Sequence, residues 1–226
     1  MLVRNAGIDA VLVFDLDDTL YLEREYVESG LHAVGAWARC QLGIAGLGDM
    51  MVERFRAGAR GHLFDDGLAA AGVGNASDLV PRMLQVYRQH RPCIHLAEDA
   101  ERYLARRPAR TGLALITDGY LDAQKRKIRA LGLHNFGVQL AICTDRWGRE
   151  SWKPAPRAFD YVQAFFGLSS TAFVYVADNA DKDFHAPRQI GWRTIQISRP
   201  GRLHEKPSAM AIEADECIAT LDSLKI

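Results

Sequence analysis

Two features that organise many chains of this size are missing: a cysteine framework and an excess of charge of one sign. Only four of 226 residues are cysteine. Cys40, Cys93, Cys143 and Cys217 show no C-x-x-C or Cys/His spacing, which argues against a zinc site or disulfide scaffold and for reduced thiols. Lys plus Arg number 28 and Asp plus Glu 28, so the net charge is zero and offers nucleic acid or an anionic membrane no general field. No apolar run is long enough to span a bilayer, and the N-terminal MLVRNAGIDA has no apolar signal core, which predicts a cytoplasmic protein. Internal repeats and low-complexity tracts are absent as well. Any charged ligand must therefore be met by a local site.

What is present is an ordinary globular balance, 48% apolar and 25% charged, long enough for a sizeable core. Short apolar runs rich in β-branched and aromatic residues recur at Ala10–Phe14, Leu113–Ile116, Val138–Ile142, Phe173–Ala177 and Thr194–Ile197. Helical patterning separates them, for example Leu31, Val34, Ala38 and Leu42 on one face and Phe159, Val162 and Phe166 on another. The alternation predicts an α/β fold, a Rossmann-like parallel sheet with helices on both faces. The interval Tyr21–His95 is far too long for a simple crossover and carries helical patterns broken at Gly43–Gly48 and Gly72–Asn75. It reads as an inserted all-helical domain, 21–95, in a core made of 1–20 and 96–226. The arginine-rich Arg102–Arg110 reads as a solvated helix face, and His185 and His204 as structural.

Polar residues stand at the ends of the apolar runs: Asp15, Asp17, Asp18 and Thr19; then Thr117, Asp118 and Gly119; then Asp178, Asn179, Asp181 and Asp183. Taken singly, each acid could terminate a strand or make a turn. Ligands of open parallel sheets bind beyond the carboxyl ends of the strands, so these groups should converge. Lys153 joins them, in ESWKPAP before a helix that the prolines announce. Carboxylates crowded at one sheet edge repel unless a cation joins them, and all-oxygen ligands suit Mg²⁺. Lys153, the Thr117 hydroxyl and N–H groups at Asp118–Gly119 could neutralise a phosphate monoester. One carboxylate could attack phosphorus, and a second could protonate the leaving alcohol and activate water.

In order along the chain, FDLDDTL, LITDG, WKP and VYVADNADKDF resemble the four motifs of the haloacid dehalogenase (HAD) superfamily, in particular its Mg²⁺-dependent phosphatases with a helical cap inserted after the first motif. QKRKIRALGL and APRQIGWRTIQI add to the similarity. The resemblance implies that Asp15 is nucleophile and metal ligand, and that Asp17 is the general acid/base and a metal ligand through its carbonyl. It implies that Thr117 and Lys153 hold the phosphoryl group, that Asp178 completes the metal site, and that Asp183 and Asn179 support it from behind. Ala177 departs from the usual glycine, and Asp18 stands where many members carry glycine. In the inserted region, Tyr21, Glu23, Arg54, Arg56, Arg60 and His62 are candidates to touch a leaving group. Gly58 and Gly61, which suggest a loop, favour Arg60 and His62.

The expected function is hydrolysis of a small phosphorylated metabolite, a sugar phosphate or nucleotide, through an aspartyl-phosphate. Dehalogenation needs neither Asp17 nor Asp178, and phosphonate cleavage in this superfamily uses a cap lysine where Tyr21–His95 has none. A phosphomutase shares the core residues, and a receiver-like phospho-aspartate signalling module is the reading from another class. Oligomeric state is not legible.

Overall fold

The computed structural model describes residues 7–74, 78–203, 208–209 and 211–226. Asn75 and His204 lie outside the described residues. The chain divides into two compact units, one formed by 1–23 and 95–226, the other by 24–94.

The first unit is built on a six-stranded parallel sheet of order β3-β2-β1-β4-β5-β6. Its strands are β1 (Ala10–Phe14), β2 (Thr111–Thr117), β3 (Leu140–Cys143), β4 (Phe173–Ala177), β5 (Arg193–Ile197) and β6 (Glu216–Ile218). The first five fall on the apolar runs. The sixth, ECI, is half exposed at the sheet edge and too short and polar to carry an apolar signal. β1 lies between β2 and β4, with Phe14 level with Leu115 and Val176, so three strands end together. Every residue of β4 and all but the first of β1 and β2 are buried, the uninterrupted burial that parallel strands covered on both faces require.

Helices α5 (Glu98–Arg106), α6 (Leu121–Ala130), α7 (Arg157–Phe166) and α8 (His185–Gln189) complete this unit. Phe159 and Phe166 of α7 join Phe173, Tyr175 and Trp192 in an aromatic core, with Phe173 and Trp192 stacked at 4.6 Å between ring centroids. Arg102, at the start of the arginine-rich run, is half exposed and pairs with Asp222 and Glu98.

The second unit is helical, containing most of α1 (Glu23–Leu42) with α2 (Leu47–Arg56), α3 (Leu63–Ala70) and α4 (Leu79–Gln89). Leu31, Val34 and Ala38 are buried as their spacing predicts, beside Leu47, Met51, Phe55, Leu68 and Met83. Gly35 and Gly48 let two backbones approach closely, since a Cβ on Gly35 would lie 2.5 Å from the Gly48 Cα. No helix among the described residues is long and apolar enough to cross a membrane.

Candidate active site

The apolar pressure that buries β1 stops at Asp15, whose N–H still donates to the Val176 carbonyl at 2.9 Å, so the carboxylate is held flush with the strand end. The chain then turns sharply, and Asp18 takes φ +54°. Aspartate tolerates that left-handed conformation, and glycine prefers it. The Asp18 carboxylate accepts from the N–H groups of Glu23 (2.8 Å) and Leu203 (2.7 Å), so it braces the turn. The Thr19 hydroxyl donates to Asp15 Oδ2 at 3.3 Å.

Across the strand ends, Lys153 Nζ sits 2.5 Å from Asp15 Oδ1 and 2.7 Å from Asp183 Oδ1, and donates to the Tyr175 hydroxyl at 3.1 Å. Its side chain has no solvent exposure. Burial alone would lower the Lys153 pKa, but the Asp15 and Asp183 carboxylates raise it well above the ordinary value. A buried ammonium persists only with such partners. Asp118 positions the lysine: its Oδ1 accepts from the Lys153 N–H (3.1 Å) and the Thr144 hydroxyl (2.7 Å), and its Oδ2 faces Lys182 Nζ at 3.2 Å. Burial works to raise the Asp118 pKa, and Lys153 and Lys182 outweigh it.

Asp17 is the second carboxylate. Lys127 Nζ lies 2.7 Å from its Oδ1, Gln124 Nε2 2.8 Å from its Oδ2, and the Tyr21 hydroxyl donates to Oδ1. Although burial opposes it, Lys127 and these donors hold the Asp17 pKa below the usual carboxylate range. The two carboxylates therefore have opposite environments. Burial pushes Asp15 up to about 6 despite Lys153.

Asp15, Asp178 and Asp183 each place a carboxylate oxygen within 4.8 Å of the others. Asp178 Oδ2 is buried without a hydrogen-bond partner, and desolvation with the neighbouring Asp15 and Asp183 charges pushes this carboxyl up to about 9. An orphaned buried oxygen among all-oxygen donors fits a hard divalent cation such as Mg²⁺, which would relieve the crowding.

A cleft of about 200 Å³ opens onto this cluster, lined among others by Asp15, Asp17, Glu23, Gly119, Asn179 and Lys182. The larger cavity, about 910 Å³ beside α6 and β3, contains none of these acids. Of the sequence candidates, the structure brings together Asp15, Asp17, Thr117, Asp118, Gly119, Lys153, Asp178, Asn179 and Asp183. Thr117 is fully buried and its hydroxyl accepts from Gln124 Nε2 at 2.7 Å. The Asn179 N–H donates to Asp183 (3.0 Å), which fixes the loop after β4.

The candidates of the inserted region divide. Tyr21 and Glu23 belong to the sheet unit, and Glu23 lines the cleft. Arg60 belongs to the helical unit, where its guanidinium donates to the carbonyls of Phe55 and Ala59, both at 2.8 Å, and lies over the Phe55 ring. Arg54 pairs there with Asp66, Arg56 with Glu28, and His62 faces Asp65. Sequence reasoning passed over Gln124, Lys127, Thr144, Tyr175 and Lys182. The signal for two of them was available, because Gln124 and Lys127 stand three apart in QKRKIRALGL and so share a helix face.

Buried acids paired with a lysine thus gather at the carboxyl edge of a parallel sheet, where ligands of such folds bind. The chain belongs to the haloacid dehalogenase-like hydrolases, whose family model matches residues 10–191. It is 29% identical over 197 residues to the glyceraldehyde 3-phosphate phosphatase of Methanocaldococcus jannaschii, covering 82% of this chain and 83% of that protein. Its fold resembles a 2-haloacid dehalogenase from Pseudomonas syringae pv. Tomato (TM-score 0.62, 21% identity, 95% and 96% of the two chains). It similarly resembles a HAD phosphatase from Thermococcus onnurineus (TM-score 0.58, 22% identity, 94% of each chain).

Proposed function

We propose that this hydrolase is a Mg²⁺-dependent phosphomonoesterase for a small phosphorylated metabolite. The relative from Methanocaldococcus jannaschii makes a triose phosphate the first compound to try. The fold alone does not discriminate, since a dehalogenase and a phosphatase resemble it about equally. The observation that carries the reading is the pair Asp15 and Asp17, one carboxylate against Lys153 and the other held separately by Lys127 and Gln124. Dehalogenation has no use for the second carboxylate or for the orphaned oxygen of Asp178.

In the first half-reaction Asp15 attacks phosphorus, the bond to the leaving oxygen breaks, and Asp17 supplies that oxygen with a proton. In the second, water attacks the phosphoryl group on Asp15 and gives a proton to Asp17, which restores the Asp15 carboxylate and the protonated Asp17 for the next cycle. Lys153 and the Thr117 hydroxyl hold the phosphoryl oxygens, and the N–H groups at Asp118–Gly119 add donors. Asp15, Asp178 and the Asp17 carbonyl would hold Mg²⁺, with Asp183 and Asn179 behind them. The ion, when bound, supplies charge neutralisation that lets an anionic nucleophile meet an anionic substrate. The helical unit takes the cap role that the family resemblance implies, selecting the leaving group.

The test is release of inorganic phosphate from glyceraldehyde 3-phosphate and p-nitrophenyl phosphate, after EDTA treatment and after Mg²⁺ is restored. Turnover is expected only with the ion. Absence of phosphate release from both compounds and from a panel of sugar phosphates and nucleotides would overturn the proposal.

A further inference from the structure

The run QKRKIRALGL contributes no atom to the phosphoryl chemistry above, yet it places a cation in the interior. Of the basic side chains on α6, Lys125 and Arg129 are exposed, whereas Lys127 turns inward and its side chain is 6% exposed. An ammonium in that position is costly unless paired, and Asp17 Oδ1 at 2.7 Å is a partner. Gln124, one helical turn earlier and 1% exposed, takes the other oxygen at 2.8 Å. The same amide nitrogen lies 2.7 Å from Thr117 Oγ1 and also donates to the Asp118 carbonyl. The Tyr21 hydroxyl closes on Oδ1 from the turn after β1. Both oxygens of one short side chain are thus gripped from a helix and from a turn, and the grip is tied to Thr117.

We propose that Lys127 and Gln124 are positioning residues that hold the Asp17 carboxylate in the orientation that takes a proton from water while the phosphoryl enzyme breaks down. This rests on the phosphomonoesterase reading. In that step the water oxygen forms a bond to phosphorus, and the phosphorus bond to Asp15 breaks, leaving its electron pair on the Asp15 carboxylate. One water proton passes to an Asp17 oxygen. A misplacement of about 1 Å in such a group lowers a rate by roughly 100-fold. Formation of the phosphoryl enzyme from p-nitrophenyl phosphate makes no such demand, because p-nitrophenolate leaves without a proton.

The two half-reactions should therefore separate. Lys127→Met and Gln124→Met, mixed rapidly with p-nitrophenyl phosphate in Mg²⁺ buffer, should release p-nitrophenolate in a burst approaching one per enzyme. A steady state slower than wild type by roughly 10- to 100-fold should follow. The acid-quenched phosphoryl-enzyme fraction should rise above that of wild type, and Lys127→Arg should recover part of the steady rate. Adding Lys127→Met to Asp17→Asn should cost less than about 2-fold more, since residues acting through one group are not additive. Gln124→Met keeps the ion pair, so it decides the matter where Lys127→Met does not fold. Equal slowing of both half-reactions, or no change in either, overturns the positioning role alone. Wild-type enzyme that releases no p-nitrophenolate overturns the phosphomonoesterase reading, and this role with it.

Discussion

The sheet unit buries charged pairs that the helical unit keeps at its surface. In 1–23 and 95–226, besides exposed pairs such as Arg102 with Asp222, several ion pairs are buried: Lys153 with Asp15 and Asp183, Lys127 with Asp17, Arg199 with Asp99. Among the described residues of 24–94 the ion pairs lie at the surface, as with Arg54 and Asp66, whose side chains are 44% and 50% exposed. That unit is held by apolar contacts and by the Gly35–Gly48 approach. Exposed pairs add little to stability, whereas a buried charge that loses its partner is strongly destabilising. Well-packed apolar residues would fill the sheet edge more cheaply, so stability does not account for its acids and the proposed chemistry does. The difference teaches where substitution should hurt function, where stability, and where neither.

The largest effect is expected at Asp15. Asp15→Asn keeps the shape of the side chain and the hydrogen bond from Thr19 but removes the attacking charge, so turnover should fall by at least about a thousandfold. Circular dichroism and the unfolding midpoint should report an intact fold. Activity within tenfold of wild type would put the nucleophile elsewhere and break the contrast at its functional end.

Next comes a buried pair outside the acid cluster. Arg199 donates to the Thr19 carbonyl and to Asp99 Oδ1, both at 2.7 Å, while Asp99 Oδ2 accepts from the Leu221 N–H and the Thr220 hydroxyl. Asp99→Ala strands the guanidinium and should cost about 3 kcal/mol, measured by urea unfolding. Burial tends to raise the Asp99 pKa, but Arg199 and the Leu221 and Thr220 donors hold it below the ordinary 3.8. A lowered folded-state pKa stabilises above the unfolded value, and that contribution fades as pH falls through the folded one. The gap between wild type and Asp99→Ala should be full near neutrality and should shrink below about pH 4. A gap independent of pH would mean that packing, not charge, is what Asp99 supplies.

This pair marks where sequence reading stops. The first five strands were legible as apolar runs, and in β1 and β4 burial on both faces forces such runs to be continuous, as in AVLVF and FVYVA. The acids at their ends were legible because a carboxylate after such a run has no packing reason to be there. Lys127, Gln124 and Lys182 were not read, because basic and amide residues on a helix or in an acidic loop are ordinarily solvated. The fold turns Lys127 and Gln124 inward and sets the 36% exposed Lys182 against Asp118. β6 was missed for the opposite reason, since an edge strand of three residues needs no apolar pattern. Arg60 reads as a ligand from its flanking glycines, but loop glycines serve a capping arginine equally well, and this guanidinium donates to two carbonyls near the end of α2.

A smaller loss is expected in the helical unit from geometry alone. In Gly35→Ala the new Cβ meets the Gly48 Cα at 2.5 Å, backbone against helix, so the two helices must separate and about 1–3 kcal/mol of stability should be lost. An unchanged unfolding midpoint would show that the helices slide apart freely and that this unit is packed more loosely than its glycines imply.

The smallest effect should come from Arg54→Ala. Its partner Asp66 lies 3.3 Å away across a half-exposed surface, where water screens the pair and both side chains surrender rotamer freedom to hold it. Stability should change by less than about 0.5 kcal/mol in urea, and added salt should erase the difference. The comparison with Asp99→Ala is what sharpens the argument. Both variants delete one partner of an arginine–aspartate pair with a nitrogen–oxygen distance under 3.5 Å. Burial is the variable that separates them, at 7% and 9% exposure for the Arg199–Asp99 side chains. Were Arg54→Ala to cost as much as Asp99→Ala, proximity of charge alone would suffice, and the interior placement of the sheet-edge lysines would no longer distinguish chemistry from structure.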